Sequence, residues 1–252
     1  MIFDCFMFWN ERDILALRIG VLNSVVDKFV VVEATTTHAG VPHTPCLMDC
    51  LSTVSPEVKN KIVHVIVEDM PKCDGNRWPL DSFQRNAITR GLKDCKANDL
   101  VIISDVDEIP DPEQVKLRKC GGYECQISNY YLNTIEEGGW VGPVMMHVHQ
   151  ILSAGPQYIR DHRFDYQRIN PGGWHFTYSG DEQAILKKLG AFTHTEWDTP
   201  AGRIAVLEGR KNLTSFVSKK HMRIDDIAKG YYPKYLKENI ETFKHLCYPV
   251  GD

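Results

Sequence analysis

An apolar run, Leu100-Val101-Ile102-Ile103, leads directly into Ser104-Asp105-Val106-Asp107-Glu108-Ile109-Pro110. Three carboxylates therefore gather where a short buried strand should end. A run with no internal polar residue reads as a central strand covered on both faces, and in open α/β sheets ligands collect beyond the carboxyl ends of such strands. Asp105 and Asp107 are two apart, so extended geometry projects both to the same side. Hard oxygen donors of this kind suit Mg²⁺ or Mn²⁺ holding a diphosphate. Glu108 is adjacent and reads as support for such ligands, and Pro110 is expected to stop the strand. A solvated turn is the competing explanation, because Asp, Glu and Pro populate turns for reasons unrelated to metals.

The elements that would position these acids follow from periodicity. Ile2 to Phe8 reads as a strand, and Leu15, Ile19, Leu22 and Val26 then recur at spacings of four, three and four, the stripe of an amphipathic helix. Phe29 to Val32 reads as a second strand ending at Glu33, and Ile62 to Val67 as a third, with the run before Asp105 as the fourth. Strands alternating with helices predict a parallel, doubly wound α/β sheet through about residue 110. Between the third and fourth strands, Asp81 with Gln84 resembles a capping box, followed by a core-facing stripe of Phe83, Ala87, Ile88, Leu92 and Cys95.

After Asp107 the alternation is lost. Glu124 to Leu132 is strand-like, and the Gly-, Pro-, aromatic- and His-rich stretch from Ile135 to Gly180 predicts loops and antiparallel strands that shape an acceptor pocket. Short helices are expected at Glu182 to Leu189, Leu213 to Lys220 and Tyr235 to Phe243. The 252 residues are read as a single domain whose character changes between a half spanning 1–110 and a half spanning 111–252.

Composition narrows the partners. The chain carries 29 basic and 33 acidic side chains, a formal charge of −4, so no electrostatic footprint for nucleic acid or an anionic membrane stands out. The apolar residues Ile2, Phe3, Phe6, Met7, Phe8 and Trp9 are interrupted by Asp4 and end at Asn10-Glu11-Arg12-Asp13, too short for a signal or membrane segment; a cytoplasmic location is expected. Eight scattered cysteines without a Cys-x-x-Cys pair predict reduced thiols.

Five stretches, in order, resemble glycosyltransferase family 17, the β-1,4-mannosyl-glycoprotein N-acetylglucosaminyltransferases. They are Ile2-Phe3-Asp4-Cys5-Phe6, Val30 to Thr35, Phe83-Gln84-Arg85-Asn86-Ala87-Ile88, Ser104 to Pro110, and Gly172-Gly173-Trp174-His175-Phe176. The resemblance implies a nucleotide-sugar-dependent transferase of the GT-A fold, using UDP-N-acetylglucosamine with Mn²⁺ or Mg²⁺ and inverting the anomeric centre in one displacement. No stretch of this sequence resembles the membrane anchor and stem of Golgi members, so a microbial or viral relative acting on a different glycan or glycoprotein acceptor is expected.

Within that reading, Asp107 is the expected direct metal ligand, and Asp105 holds the ribose or binds through water. His194, or alternatively His175, supplies a distant ligand. Arg85 is expected at the uracil or a phosphate oxygen with Asn86 in support, and Glu33 on the ligand-bearing edge of the sheet. The base that deprotonates the acceptor hydroxyl is expected at Asp181 or Glu182, with Glu196 third, although Asp181 is equally explained as a helix N-cap. Trp140 and Trp174, each beside a Gly-Gly pair, suit stacking on sugar rings, and His175 is grouped with them on the acceptor side. Three rivals remain open: a UDP-galactose or UDP-glucose transferase, an aspartyl-phosphate phosphatase, and a non-catalytic carbohydrate-binding protein on a degenerate transferase scaffold.

Overall fold

The computed structural model describes residues 1–72 and 75–249. Among the described residues, nine strands form in chain order: β1 (Ile2–Phe8), β2 (Lys28–Ala34), β3 (Ile62–Val67), β4 (Leu100–Asp105), β5 (Glu108–Pro110), β6 (Gly121–Asn129), β7 (Thr134–His147), β8 (Arg168–Thr177) and β9 (Arg223–Ile224). The main sheet has the order β3-β2-β1-β4-β7-β6-β8-β5, with β9 paired to β7. β3, β2, β1 and β4 are mutually parallel, as the alternation of strands and helices predicts. β7 joins β4 antiparallel, so one continuous sheet runs from the parallel half into the second half.

Period-two alternation decides which residues meet. On β1, β2 and β4, one face carries Ile2, Phe6, Phe8, Phe29, Val31, Leu100 and Ile102, packed in one cluster with the helix Arg12–Leu22. The opposite face carries Phe3, Cys5, Val30, Val32, Val101 and Ile103, packed with Ala87, Ile88, Leu92, Ile151 and Ile159. Asp4 and Ser104 fall in step with the first face. Under it Arg18 is fully buried, donating Nε and Nη2 to the Asp4 carboxylate at 2.8 and 2.6 Å and Nη2 to Ser104 Oγ at 2.6 Å. Its Nη1 reaches the carbonyl oxygens of Asp105, Val106 and Glu108 at 2.9, 3.2 and 2.8 Å. A buried guanidinium thus fixes the backbone of the acidic turn from below.

Several local expectations change. β4 ends at Asp105, Val106 and Asp107 form a turn, and β5 begins at Glu108, so Asp105 and Asp107 are not two positions of one extended strand and Pro110 closes β5 instead. The helix Trp78–Asn86 is preceded by Arg77, with Pro79 in its first turn; Asp81 lies inside it and bonds Arg85, so no capping box forms there. Gln84 bridges from Nε2 to the Val32 carbonyl and from Oε1 to His38. No helix forms at 213–220: Leu213 and Lys219 have positive φ and Thr214 bridges to His221, a path for which β-branched Thr214 and Val217 are better suited than for a helix interior. The helix Pro200–Lys211 was not anticipated, although Thr199 caps Gly202 N at 3.0 Å with Pro at the first position, a standard start signal.

Candidate active site

A cavity of about 790 Å³ opens over the acidic turn. Its walls come from the end of β1 (Met7, Phe8, Trp9), the segment after β2 (Thr36, Thr37, His38), the helix Trp78–Asn86, β7, β8, the helices Pro156–Asp161 and Glu182–Ala191, and residues 192–197.

The three acids of the turn have separate partners. Asp105, odd-numbered on β4, faces the second layer of helices: its Oδ1 accepts from Arg85 Nη2 at 2.9 Å and its Oδ2 from Arg160 Nη2 at 3.1 Å. Burial alone would raise its pKa, but Arg160 and Arg85 pull it well below the usual carboxylate range. Arg85 is in turn held by Asp81 at 2.5 Å and by Gln157. Glu108 is fully buried and serves as a hub. Its Oε1 accepts from Arg160 Nη2 at 2.6 Å and from Trp140 Nε1, and its Oε2 accepts from the Asp105 N–H at 3.0 Å. Gly142 permits this, since a Cβ there would stand 2.8 Å from the Glu108 carboxyl carbon.

Asp107, 5 % exposed, turns the other way. Its Oδ2 accepts from Lys188 Nζ at 2.8 Å, and its Oδ1 faces His175 Nε2 at 3.7 Å. Burial disfavours the Lys188 ammonium, but Asp107 and Glu11, the latter at 3.4 Å, outweigh it and raise its pKa. His175 stacks on Trp140 with ring centroids 5.3 Å apart, and its buried Nδ1 has no hydrogen-bond partner among the described residues. β5 and β8 create this juxtaposition, because Glu108 pairs with His175 in register and Phe176 N donates to the Asp107 carbonyl at 2.8 Å.

The structure therefore brings together Asp105, Asp107, Arg85, Trp140 and His175 of the residues expected from sequence. His194 lines the same cavity, with its ring edge-on to Trp78, but bonds Glu196 Oε1 at 2.7 Å and makes no contact with Asp107. Five others lie outside the cavity lining. Asn86 is exposed and accepts from Gln157 N at 3.0 Å. Glu33 is fully buried against His43 and His64. Asp181 caps its helix by accepting from Ala184 N at 2.8 Å, and Glu182 borders a separate surface hollow with Tyr131 and Tyr248. Trp174 is 3 % exposed in the core, donating Nε1 to the Tyr231 carbonyl at 2.9 Å. Gly172 and Gly173 serve strand packing: a Cβ on either would strike the backbone of β6 or β5.

Arg160, Lys188, Glu11 and His38 were not singled out from sequence. Arg160 and Lys188 sit on short helices whose orientation depends on β7 and β8, and no spacing rule points a particular Arg or Lys at a particular acid. Burial lowers the pKa of His38, which bridges Thr193 Oγ1 at 3.1 Å and Gln84 Oε1 at 2.9 Å.

A parallel sheet ends in an Asp-x-Asp turn and is continued by an antiparallel extension that walls a cavity over it, an α/β arrangement that gathers ligand-binding groups beyond the strand ends. The chain belongs to glycosyltransferase family 17, whose sequence model matches residues 1–202. Curated relatives include the human and rat β-1,4-mannosyl-glycoprotein 4-β-N-acetylglucosaminyltransferases. Each is 28 % identical over 151 residues, covering 57 % of this chain and 25 % of the relative. The chain thus matches about a quarter of their length. Among solved structures, a galactosyltransferase, LgtC, in complex with donor and acceptor sugar analogues aligns with a TM-score of 0.36 and 12 % identity, over 100 % of this chain and 97 % of that one. Among the described residues, no helix is long and apolar enough to cross a membrane.

Proposed function

We propose that the protein transfers N-acetylglucosamine from UDP-N-acetylglucosamine to a glycan hydroxyl, with inversion to a β linkage and with the help of a divalent cation. The observation that carries this reading is the pairing of Asp107 Oδ1 with His175 Nε2 at 3.7 Å inside the cavity, an oxygen and a nitrogen that both face it. This donor set fits Mn²⁺ or Mg²⁺ with its remaining positions left to diphosphate oxygens and water. Such an ion, when bound, neutralises charge that develops on the departing diphosphate.

The chain's own groups would do the rest. Lys188 holds the second oxygen of Asp107 and keeps the carboxylate aimed, while adding positive charge beside the diphosphate. Arg85 and Arg160 fix Asp105 from both sides, leaving its partly exposed carboxylate at the cavity wall for a ribose hydroxyl. Trp140, stacked on His175 and lying under Arg163, lines the cavity wall beside the acids. Because Asp181 and Glu182 lie outside the cavity, the base is assigned to Glu196, the third sequence candidate. It lines the cavity, is open to an acceptor, and is bonded to His194, which outweighs its partial burial and lowers its pKa so that it stays ionised to accept a proton.

The test is a transfer assay with UDP-N-acetylglucosamine, UDP-galactose and UDP-glucose against a panel of mannose-containing glycans, read by mass spectrometry. The expected product is a glycan heavier by one N-acetylhexosamine, absent with Asp107→Ala. Hexose transfer in its place would reassign the donor, and wild-type turnover by Asp107→Ala would remove the site.

A further inference from the structure

A second cluster of metal-ligating side chains lies beside the cavity but outside its lining. β2 delivers Glu33, and the chain then runs through residues 35–46 before the short helix Leu47–Cys50. The buried Glu33 Oε1 accepts from Cys46 N at 2.7 Å and faces His43 Nε2 at 3.1 Å. Its Oε2 accepts from Leu47 N at 3.2 Å and faces His64 Nε2, from β3, at 3.0 Å. Cys46 and Cys50 are four residues apart across one helical turn and share a face, with their sulfurs 4.0 Å apart. Ligand atoms of Glu33, His43 and Cys46 all fall within 4.8 Å of one another.

The Glu33–His43 separation of 3.1 Å and the Cys46–Cys50 separation of 4.0 Å approach those of tetrahedral zinc, while Cys50 stands outside the group formed by Glu33, His43 and Cys46. Two sulfurs bound at about 2.3 Å stand roughly 3.8 Å apart, and an imidazole nitrogen and carboxylate oxygen bound at about 2.1 Å stand roughly 3.4 Å apart. Thiolate and imidazole donors favour Zn²⁺ over the Mg²⁺ or Mn²⁺ suited to the acidic turn. Burial raises the pKa of the Cys46 thiol to about 12 and raises that of Cys50 as well, and Arg12 opposes this only in part, so a bound metal has to displace both protons. His64, bonded to the other carboxylate oxygen, would orient Glu33 in the manner of an outer-shell partner.

We propose that Glu33 Oε1, His43 Nε2 and Cys46 Sγ form a structural zinc site distinct from the reaction cavity, closed by Cys50 Sγ when its side chain turns toward them. On binding, both thiol protons pass to solvent and the His43 proton resides on Nδ1, leaving Nε2 to coordinate. The site would staple the 35–46 segment to the end of β2. That segment carries Thr36, Thr37 and His38 into the cavity wall, so the metal would hold one wall in place without touching substrate.

The test is metal analysis of the full chain purified without chelator, combined with cobalt substitution. The expected results are stoichiometric zinc in the wild type and in Asp107→Ala, and its loss in Cys46→Ser and Cys50→Ser. The cobalt form should show thiolate-to-cobalt charge transfer and tetrahedral d–d absorption. Zinc content at background in the wild type, with no such cobalt spectrum on titration, would overturn the site and leave a closed hydrogen-bond cluster around Glu33. A Cys46–Cys50 disulfide that persists under reducing conditions would overturn it equally. Because the cobalt spectrum is read on the wild type, a variant that fails to fold does not shelter the proposal.

Discussion

Residues 1–110 and residues 111–249 contribute to the same cavity by different physical routes. The first half presents Asp105 and Asp107 at the end of a parallel sheet, from a backbone that Arg18 ties down through three carbonyls. The second half presents Arg160, His175 and Lys188, which meet those acids across long sequence separations. Asp105 ends β4 and Asp107 sits in the turn that follows, whereas Arg160, His175 and Lys188 depend on how β5, β6, β7 and β8 pair. The first half therefore acts as a rigid platform, and the second sets what the acids can do. Damage to each should leave a different mark.

The largest expected effect breaks the platform. Arg18→Met leaves Asp4 buried without its partner and frees three carbonyls, and should cost about 3–5 kcal/mol, the scale of breaking a buried pair from one side. Urea unfolding checks this; a loss below about 1 kcal/mol would show that the acidic turn holds itself. On the second half, Asp181→Ala removes an N-cap and should cost about 1 kcal/mol of stability with transfer activity retained. Loss of turnover at unchanged stability would return Asp181 to the list of bases and blur the division drawn here.

A smaller effect probes the seam between the halves, where His38 bonds Thr193 and Gln84. Burial keeps its folded pKa below the unfolded value of about 6.5. The unfolded chain therefore binds more protons between those two values, so stability contributed by the neutral ring is present above about pH 6.5 and declines as pH falls through that window. Denaturation midpoints collected across this range should flatten in His38→Gln; an unchanged slope would assign the pH dependence to other groups.

The same division explains what was legible in the sequence. All four parallel strands, the helix Arg12–Leu22 and the acidic turn follow from hydrophobic period and from polar residues at a strand end, because these are local signals. Asp105 and Asp107 depart from extended geometry because Val106-Asp107 turns, so each acid faces a different layer. Trp174 and Asp181 were misplaced for a related reason: a Trp beside glycines and an acid before a helix look the same whether they serve packing, capping or chemistry. Arg160 and Lys188 could not be found from spacing, since their partners lie 55 and 81 residues away. The Thr199-Pro200 helix start, by contrast, was local and readable.

The measurement that bears most directly on the central claim is calorimetric titration of UDP-N-acetylglucosamine into the wild type and into Asp107→Asn, with Mn²⁺ and then with chelator. The account predicts saturable binding by the wild type with Mn²⁺, lost on chelation and lost in Asp107→Asn, whose amide keeps the shape of the site while removing its charge. Equal binding with and without the metal, or undiminished binding by Asp107→Asn, would contradict it.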